Sequence, residues 1–284
     1  MLAVDLHSHS TVSDGVLTPS ALIDHVATRG GQLFALTDHD HTAGAEAAQQ
    51  AAVAHGIMFV PGVEISVTWE MQSIHIVGLR IDPAHSGLQQ ALLGLRSGRF
   101  SRAQAMADGL AKVGIEEALA GALRFVTNPE MISRTHFARY LVAQGIAKDI
   151  QQVFRRFMVP GKPGYVPHQW ADLAEAVAWI VAAGGDAVLA HPGRYRLGRC
   201  AMRRLLMAFK AAGGVAIEVI SGNQPLLQNY HFAQLATRYG LLASLGSDFH
   251  ASAKGYCEPG RLNHLPQECI PLWSRWRGYE HLGQ

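Results

Sequence analysis

Residues 3 to 41 read AVDLHSHSTVSDGVLTPSALIDHVATRGGQLFALTDHDH, and this stretch predicts a strand, a helix and a second strand. The short apolar runs at Ala3 to His7 and Leu33 to Thr37 are typical of buried strands. Between them, Thr18 followed by Pro19 indicates a helix start, because the threonine can cap the helix and proline fits its first turn. Strand, helix and strand in this order predict a βα unit of an α/β fold.

The same alternation continues through most of the chain. Further strands are predicted at Met58 to Ile65, Ile74 to Leu79, Ala187 to Ala190, Val215 to Ile220 and Leu242 to Gly246, which gives seven in all. A second helix is predicted from Ala43 to Ala54, before Gly56. A regular alternation of this kind favours an α/β architecture over a sandwich or a bundle.

The alternation stops between about Arg99 and Tyr165, where the pattern is helical and no strand-like run occurs. The segment VPGKPGYVP, residues 159 to 167, closes this stretch and has the proline and glycine content of a linker. We therefore predict one discontinuous domain at residues 1 to 98 and 166 to 284. Residues 99 to 165 are predicted to form a helical insertion or lid.

Composition limits the class of protein. The 284 residues are 49% hydrophobic and 16% charged, with a net charge of +2, so the total charge predicts no general affinity for nucleic acid. No apolar stretch approaches the ~20 residues of a membrane span. Three widely spaced cysteines suggest neither a disulfide framework nor a cysteine zinc site. We expect a cytoplasmic protein with no membrane association and no obligate protein partner.

Histidine is the notable residue type, with fifteen copies in the chain. Several of them stand within or just after predicted strands: beside carboxylates in DLHSHS (residues 5 to 10), TDHDH (37 to 41) and SDFH (247 to 250), and without one in AHP (190 to 192). Glu64 and His75 also lie in predicted strands. Because strand ends in an α/β barrel surround one cavity, we expect these side chains to converge on a single site.

These motifs, in this order, resemble those of the polymerase and histidinol phosphatase (PHP) family of phosphoesterases. The resemblance covers nearly the whole chain and implies a distorted seven-stranded (β/α) barrel of PHP type. It also implies three divalent metal ions, and the histidine and oxygen ligands favour Mn²⁺, with Zn²⁺ or Fe²⁺ as alternatives. The implied metal ligands are His7, His9, Asp14, His39, Glu64, His75, His191, Asp248 and His250.

The charge of such a centre suits a phosphate ester. Three divalent ions bring six positive charges; Asp14, Glu64 and Asp248 offset three and a bridging hydroxide one, which leaves about two for a phosphate dianion. The expected reaction is attack of a metal-bridging hydroxide on phosphorus. Glu64, as bridging ligand, Asp248 and His191 are the expected catalytic residues. Metal-bound water, His191 or His136 could protonate the leaving oxygen.

The insertion resembles that of a subgroup that hydrolyses nucleoside 3′,5′-bisphosphates such as pAp, and also short RNA from its 5′ end. The expected substrate-binding residues on the insertion are Arg99, Arg102, Ser133, Arg134 and His136, since guanidinium groups can clamp the phosphate that is not cleaved. The leading prediction is a phosphatase for the 3′-phosphate.

Three alternatives remain open. One is a 5′-3′ exoribonuclease, for which the arginine-rich stretch from Arg194 to Arg204 could contact the RNA backbone. Another is a histidinol-phosphatase-like enzyme, whose cationic substrate would need acidic partners. The last is a non-catalytic PHP domain. Asp38 and Asp40 are expected to orient ligand histidines or to cap a helix. His41 is expected either to hydrogen-bond a metal ligand or to be an exposed loop residue.

Overall fold

A computed structural model describes residues 3–167, 170–252 and 257–277. Its seven strands form one sheet in which the spatial order is the chain order. The strands are β1 (Val4–Asp5), β2 (Leu33–Leu36), β3 (Met58–Trp69), β4 (Gln72–Leu79), β5 (Asp186–Leu189), β6 (Ala216–Ser221) and β7 (Leu242–Gly246). All seven predicted strands are therefore confirmed.

The first and last strands meet, so the sheet nearly closes into a barrel. The amide of Leu6 donates to the carbonyl of Leu245 at 3.0 Å, and the amide of Asp248 donates to the carbonyl of His7 at 2.8 Å. Beyond the strands, the amide of His9 donates to the carbonyl of Phe249 at 2.9 Å. The predicted seven-stranded α/β barrel is confirmed, and its closure brings the motif after β1 beside the motif after β7.

Strand β4 is antiparallel to both of its neighbours, whereas the other pairs are parallel. The site groups therefore do not all follow the carboxyl ends of strands. His75 lies in the first half of β4, opposite Ser66 of β3, and Glu64 lies in the middle of β3. Because β4 runs in reverse, its amino-terminal half lies at the barrel end where the parallel strands finish.

Helices cover the barrel and form the insertion, and the two helices whose positions were predicted, after Thr18 and from Ala43 to Ala54, are confirmed to within a few residues. Ten α-helices are described: α1 (Pro19–Ala27), α2 (Ala45–His55), α3 (Ser86–Ser97), α4 (Arg99–Ala111), α5 (Ala118–Leu123), α6 (Arg134–Ala143), α7 (Ile150–Val153), α8 (Leu173–Ala182), α9 (Arg199–Ala211) and α10 (Leu226–Tyr239). Thr18 caps α1 by accepting a hydrogen bond from the amide of Ala21. Gly56 ends α2 in the left-handed conformation, with φ of 66°, which favours glycine.

Residues 99 to 158 contain helices and turns only, ending in a π-helical turn at Phe154–Met158. Their buried side chains, among them Leu110, Phe137, Leu141 and Val153, form a hydrophobic cluster distinct from those of the barrel. A separate cluster is what an inserted folding unit requires. Across the described parts of the chain, no helix is both long enough and apolar enough to cross a lipid bilayer.

Candidate metal centre

The nine histidines and carboxylates singled out in the sequence come together at one end of the barrel. Strands β1, β2, β5 and β7 each lead into a loop that contributes one or more of them, while β3 and β4 carry Glu64 and His75 within the sheet. Hydrogen bonds hold the loops against one another, since the amide of Asp40 donates to the carbonyl of Glu64 at 2.8 Å. The contacts of Glu64 describe the arrangement best.

Glu64 is fully buried and lies at the centre of the cluster. Its Oε1 is 2.8 Å from both His75 Nδ1 and His191 Nε2, and 3.3 Å from His7 Nε2. Its Oε2 is 2.8 Å from His39 Nδ1. One carboxylate thus faces imidazole groups from β4 and from the loops after β1, β2 and β5, which is the position that a bridging ligand requires.

Within the described residues, three groups of side chains have ligand atoms close enough to share an ion, all within 4.8 Å of one another. The groups are His9, Asp14, His39 and His250; His7, His9, Glu64 and Asp248; and His39, Glu64 and His75. They overlap at His9, His39 and Glu64. His191 is outside these three groups, and its contact with Glu64 joins it to the cluster.

Several buried atoms of the cluster make no hydrogen bond of acceptable geometry with the described residues, although other cluster atoms lie beside them, as His39 Nδ1 and Glu64 Oε2 do at 2.8 Å. These atoms are Asp14 Oδ1, His39 Nδ1 and Glu64 Oε2. A buried polar atom without a partner is costly, and a metal ion would satisfy all three. The donors are imidazole nitrogens and carboxylate oxygens without thiolate, a set that suits divalent transition metals. The residues present therefore fit divalent metal ions.

The carboxylates of the cluster are held in their charged form. Burial alone would raise the pKa of Glu64, but His75, His39 and His7 hold it well below its usual value. Burial likewise opposes the ionisation of Asp248, and Arg194, His250 and His7 outweigh it and lower its pKa. The cluster consequently offers anionic oxygens at neutral pH.

Backbone strain concentrates in the same place. His191 has φ of 26° and Asp248 has φ of 50°, in the left-handed region that residues other than glycine rarely adopt. Asp40, whose amide donates to the carbonyl of Glu64, has φ of 46°. Strain of this kind costs about 1–3 kcal/mol per residue and persists where the surroundings fix the conformation, commonly at functional sites.

Glu218 was not singled out from the sequence, although it supports two of the cluster residues. It lies on β6, is 1% exposed, and accepts a hydrogen bond from His7 Nδ1 at 2.6 Å through Oε1. Its Oε2 accepts from the amide of the strained His191, also at 2.6 Å. The only sequence signal for it is a lone glutamate inside the apolar run AIEVIS, residues 216 to 221.

The arginine-rich stretch divides into residues with different surroundings. Arg194 forms an ion pair with Asp248 Oδ2 and so touches the cluster. Arg199, Arg203 and Arg204 are exposed on α9, where Arg204 pairs with Glu70 at 2.6 Å. Arg194 therefore belongs to the centre, and the arginines of α9 lie on the outer surface.

A cavity of about 530 Å³ joins the cluster to the insertion. Its wall includes Asp14, His39, Glu64, His75, His191, Asp248 and His250, and also Arg99, Arg102, Ser133 and Arg134 from the insertion. Seven of the nine expected ligands and four of the five expected substrate-binding residues thus face one space. Its volume lies within the range of small-molecule sites.

The fifth expected substrate-binding residue, His136, does not line this cavity. It is 1% exposed, and its Nδ1 accepts a hydrogen bond from the amide of Ser133 at 3.0 Å, as part of a capping box at the start of α6. Burial lowers the pKa of His136 to about 4, so it is neutral at physiological pH. In this structure His136 positions the residues at the start of α6.

The aspartates of the TDHD motif have structural partners. Asp38 accepts hydrogen bonds from the hydroxyls of Ser10 and Ser13, at 2.7 and 2.6 Å, and so orders the loop that carries His9 and Asp14. Asp40 accepts a hydrogen bond from the amide of Ser66 at 2.9 Å and forms an ion pair with Arg99. His41 caps its own loop by accepting a hydrogen bond from the amide of Ala43.

Comparison with known proteins agrees with this geometry. A 3′,5′-nucleoside bisphosphate phosphatase from Chromobacterium violaceum is 53% identical over 273 residues, covering 96% of both chains. The 5′-3′ exoribonuclease Rnm from Salmonella typhimurium is 42% identical over 274 residues, covering 96% of this chain and 93% of the relative.

A solved structure from Chromobacterium violaceum, described as an amidohydrolase with bound sulfate and no metal, has a TM-score of 0.93 at 52% identity. It covers 95% of this chain and 94% of its own. The family model for the PHP domain matches residues 5–159, more than half of the chain. With the clustered histidines and carboxylates and the seven-stranded barrel, these matches mean that the chain belongs to the PHP domain family.

Proposed function

We propose that this protein is a metal-dependent phosphatase that removes the 3′-phosphate of nucleoside 3′,5′-bisphosphates, converting pAp to AMP and phosphate. The observation that carries the proposal is the shared cavity. One part of its wall is the histidine and carboxylate cluster, and another part carries the guanidinium groups of Arg99, Arg102 and Arg134. A substrate with two phosphates would place one phosphate at the cluster and the other at the guanidinium groups.

The arginines of the insertion differ in how their charge is balanced. Arg99 pairs with Asp40, and its guanidinium lies 4.7 Å from the ring centre of Trp170. Arg102 donates to the carbonyl of Val166 at 3.2 Å, and Arg134 donates to the carbonyl of Met158 at 3.4 Å.

No described carboxylate forms an ion pair with Arg102 or Arg134. Burial, together with the neighbouring Arg134 and Arg99, lowers the pKa of Arg102 to about 10, so the group remains charged but is electrostatically disfavoured. A bound 5′-phosphate would neutralise this local excess of positive charge.

The relatives support the same substrate. The bisphosphate phosphatase is 53% identical to this chain, and the three exoribonucleases are 40–42% identical over a similar length. The insertion offers no acidic side chain to the described wall of the cavity. A cationic amine, such as that of histidinol phosphate, would need an acidic side chain as its partner there.

We propose that His7, His9, Asp14, His39, Glu64, His75, His191, Asp248 and His250 hold three divalent ions. Mn²⁺ is the preferred ion, with Zn²⁺ or Fe²⁺ as alternatives. When bound, such ions polarise the phosphoryl oxygens and make water nucleophilic near neutral pH.

Residues of the chain hold the ions and orient the substrate. Glu64, with one oxygen towards His75 and the other towards His39, can bridge two ions. Arg102 and Arg134 would hold the 5′-phosphate and so orient the ester. Of the two histidines expected to protonate the leaving oxygen, His191 lines the cavity and His136 does not.

We further propose that residues 99 to 165 act as a lid over the barrel domain. Arg139 from α6 donates to the carbonyl of Asp14 at 2.7 Å, and Asn128 donates to the carbonyl of Val12 at 3.2 Å. These bonds join the insertion to the loop after β1. The cytoplasm is the proposed compartment, in keeping with three free cysteines.

The test compares pAp with 3′-AMP, which lacks the 5′-phosphate. Arg134→Ala should raise KM for pAp roughly tenfold to a hundredfold and leave the kinetics of 3′-AMP within about twofold, because only the contact with the 5′-phosphate is lost. Arg204→Ala, which removes an exposed arginine from α9, is the matched control. Equal effects of Arg134→Ala on both substrates would contradict the proposed role of the insertion.

A further inference from the structure

The three arginines of the insertion that line the cavity each lie over an aromatic ring. The guanidinium carbon of Arg99 is 4.7 Å from the ring centre of Trp170, and that of Arg102 is 5.4 Å from the same ring. The guanidinium carbon of Arg134 is 5.6 Å from the ring centre of Phe154. Both aromatic side chains line the cavity as well. The arginines and the two rings therefore form one part of its wall.

The two rings are anchored in different parts of the fold. Trp170 comes just after the proline- and glycine-rich segment of residues 159 to 167, and its amide donates to the hydroxyl of Thr68 on β3 at 2.8 Å. Phe154 begins the π-helical turn of the insertion, and its side chain packs against the hydrophobic cluster there. Such turns are rare and occur frequently at functional sites. One ring is thus fixed to the barrel and the other to the insertion.

Backbone carbonyl groups near the two rings also hold two of the arginines. Arg102 donates through Nε to the carbonyl of Val166 at 3.2 Å, within the proline- and glycine-rich segment. Arg134 donates through Nη1 to the carbonyl of Met158 at 3.4 Å, at the end of the π-helical turn. Each of these arginines therefore contacts one ring and one carbonyl group, and neither of these partners carries a net charge.

An aromatic ring and a carboxylate hold an arginine with different consequences. The ring attracts the cation through its quadrupole and has no net charge, so the positive charge of the guanidinium group persists. The ring also accepts no conventional hydrogen bond, which leaves N–H donors for a phosphate. A carboxylate, such as that of Asp40 beside Arg99, neutralises the charge and occupies donors. Rings are therefore the better partners for arginines that must receive an anion.

We propose that Trp170 and Phe154 are positioning residues that set the preference for a 5′-phosphate. Trp170 fixes Arg102 and Phe154 fixes Arg134, so that both guanidinium groups are in place before the substrate binds. The inference rests on the proposed function, since it concerns the phosphate that is not cleaved. Side chains fixed in advance lose less conformational entropy on binding. The preference for bisphosphates over monophosphates thus depends on the two rings as well as on the arginines.

The test measures kcat and KM of the metal-loaded full chain for pAp and for 3′-AMP. Trp170→Leu and Phe154→Leu each remove a ring but keep an apolar side chain. Each should raise KM for pAp about fivefold to thirtyfold and leave its kcat, and both constants for 3′-AMP, within about twofold. Trp170→Phe and Phe154→Tyr keep a ring and should stay within about twofold of wild type. Trp179→Leu, at a half-buried tryptophan of α8 that packs against the barrel core, is the matched control and should change neither substrate.

The comparison separates the proposed role from others, because pAp and 3′-AMP share the same base and sugar. Equal changes for both substrates would mean a contact with the nucleoside or a purely structural role, and would overturn the inference. A wild-type KM for pAp in the leucine variants would overturn it too, as would equal impairment of the variants that keep a ring. Wild-type protein that leaves pAp intact would instead contradict the proposed function itself, and no variant is needed to recognise that result.

Discussion

Replacing Glu218 with glutamine should weaken metal binding while the fold persists. The carboxylate of Glu218 accepts hydrogen bonds from His7 Nδ1 and from the amide of His191, both at 2.6 Å. The bond to Nδ1 keeps the proton of a neutral His7 on that nitrogen. Its Nε2, which lies 3.3 Å from Glu64 Oε1, is then free to bind a metal ion.

Glutamine has the same shape but only one acceptor. If its oxygen stays with the amide of His191, its NH₂ group faces His7 and favours the tautomer with the proton on Nε2. Loss of one charge-assisted hydrogen bond is worth about 1.5–3 kcal/mol, and about 1.4 kcal/mol corresponds to tenfold in affinity. We therefore expect a loss of roughly tenfold to a hundredfold in metal affinity, the usual range for a group behind a ligand histidine.

The assay is a calorimetric titration of metal-depleted protein with Mn²⁺, with circular dichroism to check that the fold persists. Glu70→Gln is the matched control, because Glu70 is exposed and pairs with Arg204. Unchanged Mn²⁺ affinity in Glu218→Gln would refute this reasoning.

Three further predictions concern stability. Phe137→Ala, in the core of the insertion, should lower the free energy of unfolding in urea by about 3–5 kcal/mol. It should leave the metal affinity of the barrel unchanged, because Phe137 packs in a separate cluster. A loss of metal affinity of similar size would argue against an independent insertion. In metal-free protein, burial raises the pKa of Asp5 from 3.8 to about 7. Because the folded state then holds this proton more tightly than the unfolded state, the resulting stabilisation is complete below pH ~4 and is lost as the pH rises to ~7. The free energy of unfolding of Asp5→Asn relative to wild type should therefore rise by a few kcal/mol across this interval and level off above it. A constant difference at all pH values would contradict the assignment. Manganese at about a thousand times its Kd should stabilise the fold by about 4 kcal/mol, measured as a rise in Tm that a chelator reverses, and an unaltered Tm would mean that the folded cluster does not bind the ion.

The seven strands could be predicted because each contains a short apolar run, and all but β3 and β4, which a two-residue turn joins, are separated by helices. The direction of β4 could not, since an apolar run has the same pattern in a parallel and an antiparallel strand. The consequence is confined to His75, which reaches the centre from the first half of its strand rather than from a carboxyl end.

The residues that converge on the site were predictable because they stand in compact motifs such as DLHSHS and SDFH. Glu218 could not be found in this way, because its role depends on the contacts between β6 and two loops distant in sequence. The sequence grouped Arg194 with the arginines of α9, and only the three-dimensional structure separates them. The spacing of Ser133 and His136 matches a capping box, a local signal that explains the position of His136 better than substrate contact does.

The most direct test of the account is the regiochemistry of pAp hydrolysis by protein reconstituted with a measured content of Mn²⁺. Separation of the products by chromatography distinguishes 5′-AMP from 3′-AMP. The account predicts 5′-AMP and one equivalent of phosphate, with activity lost in Asp248→Asn. Formation of 3′-AMP, or no turnover by protein that contains the metal, would contradict it.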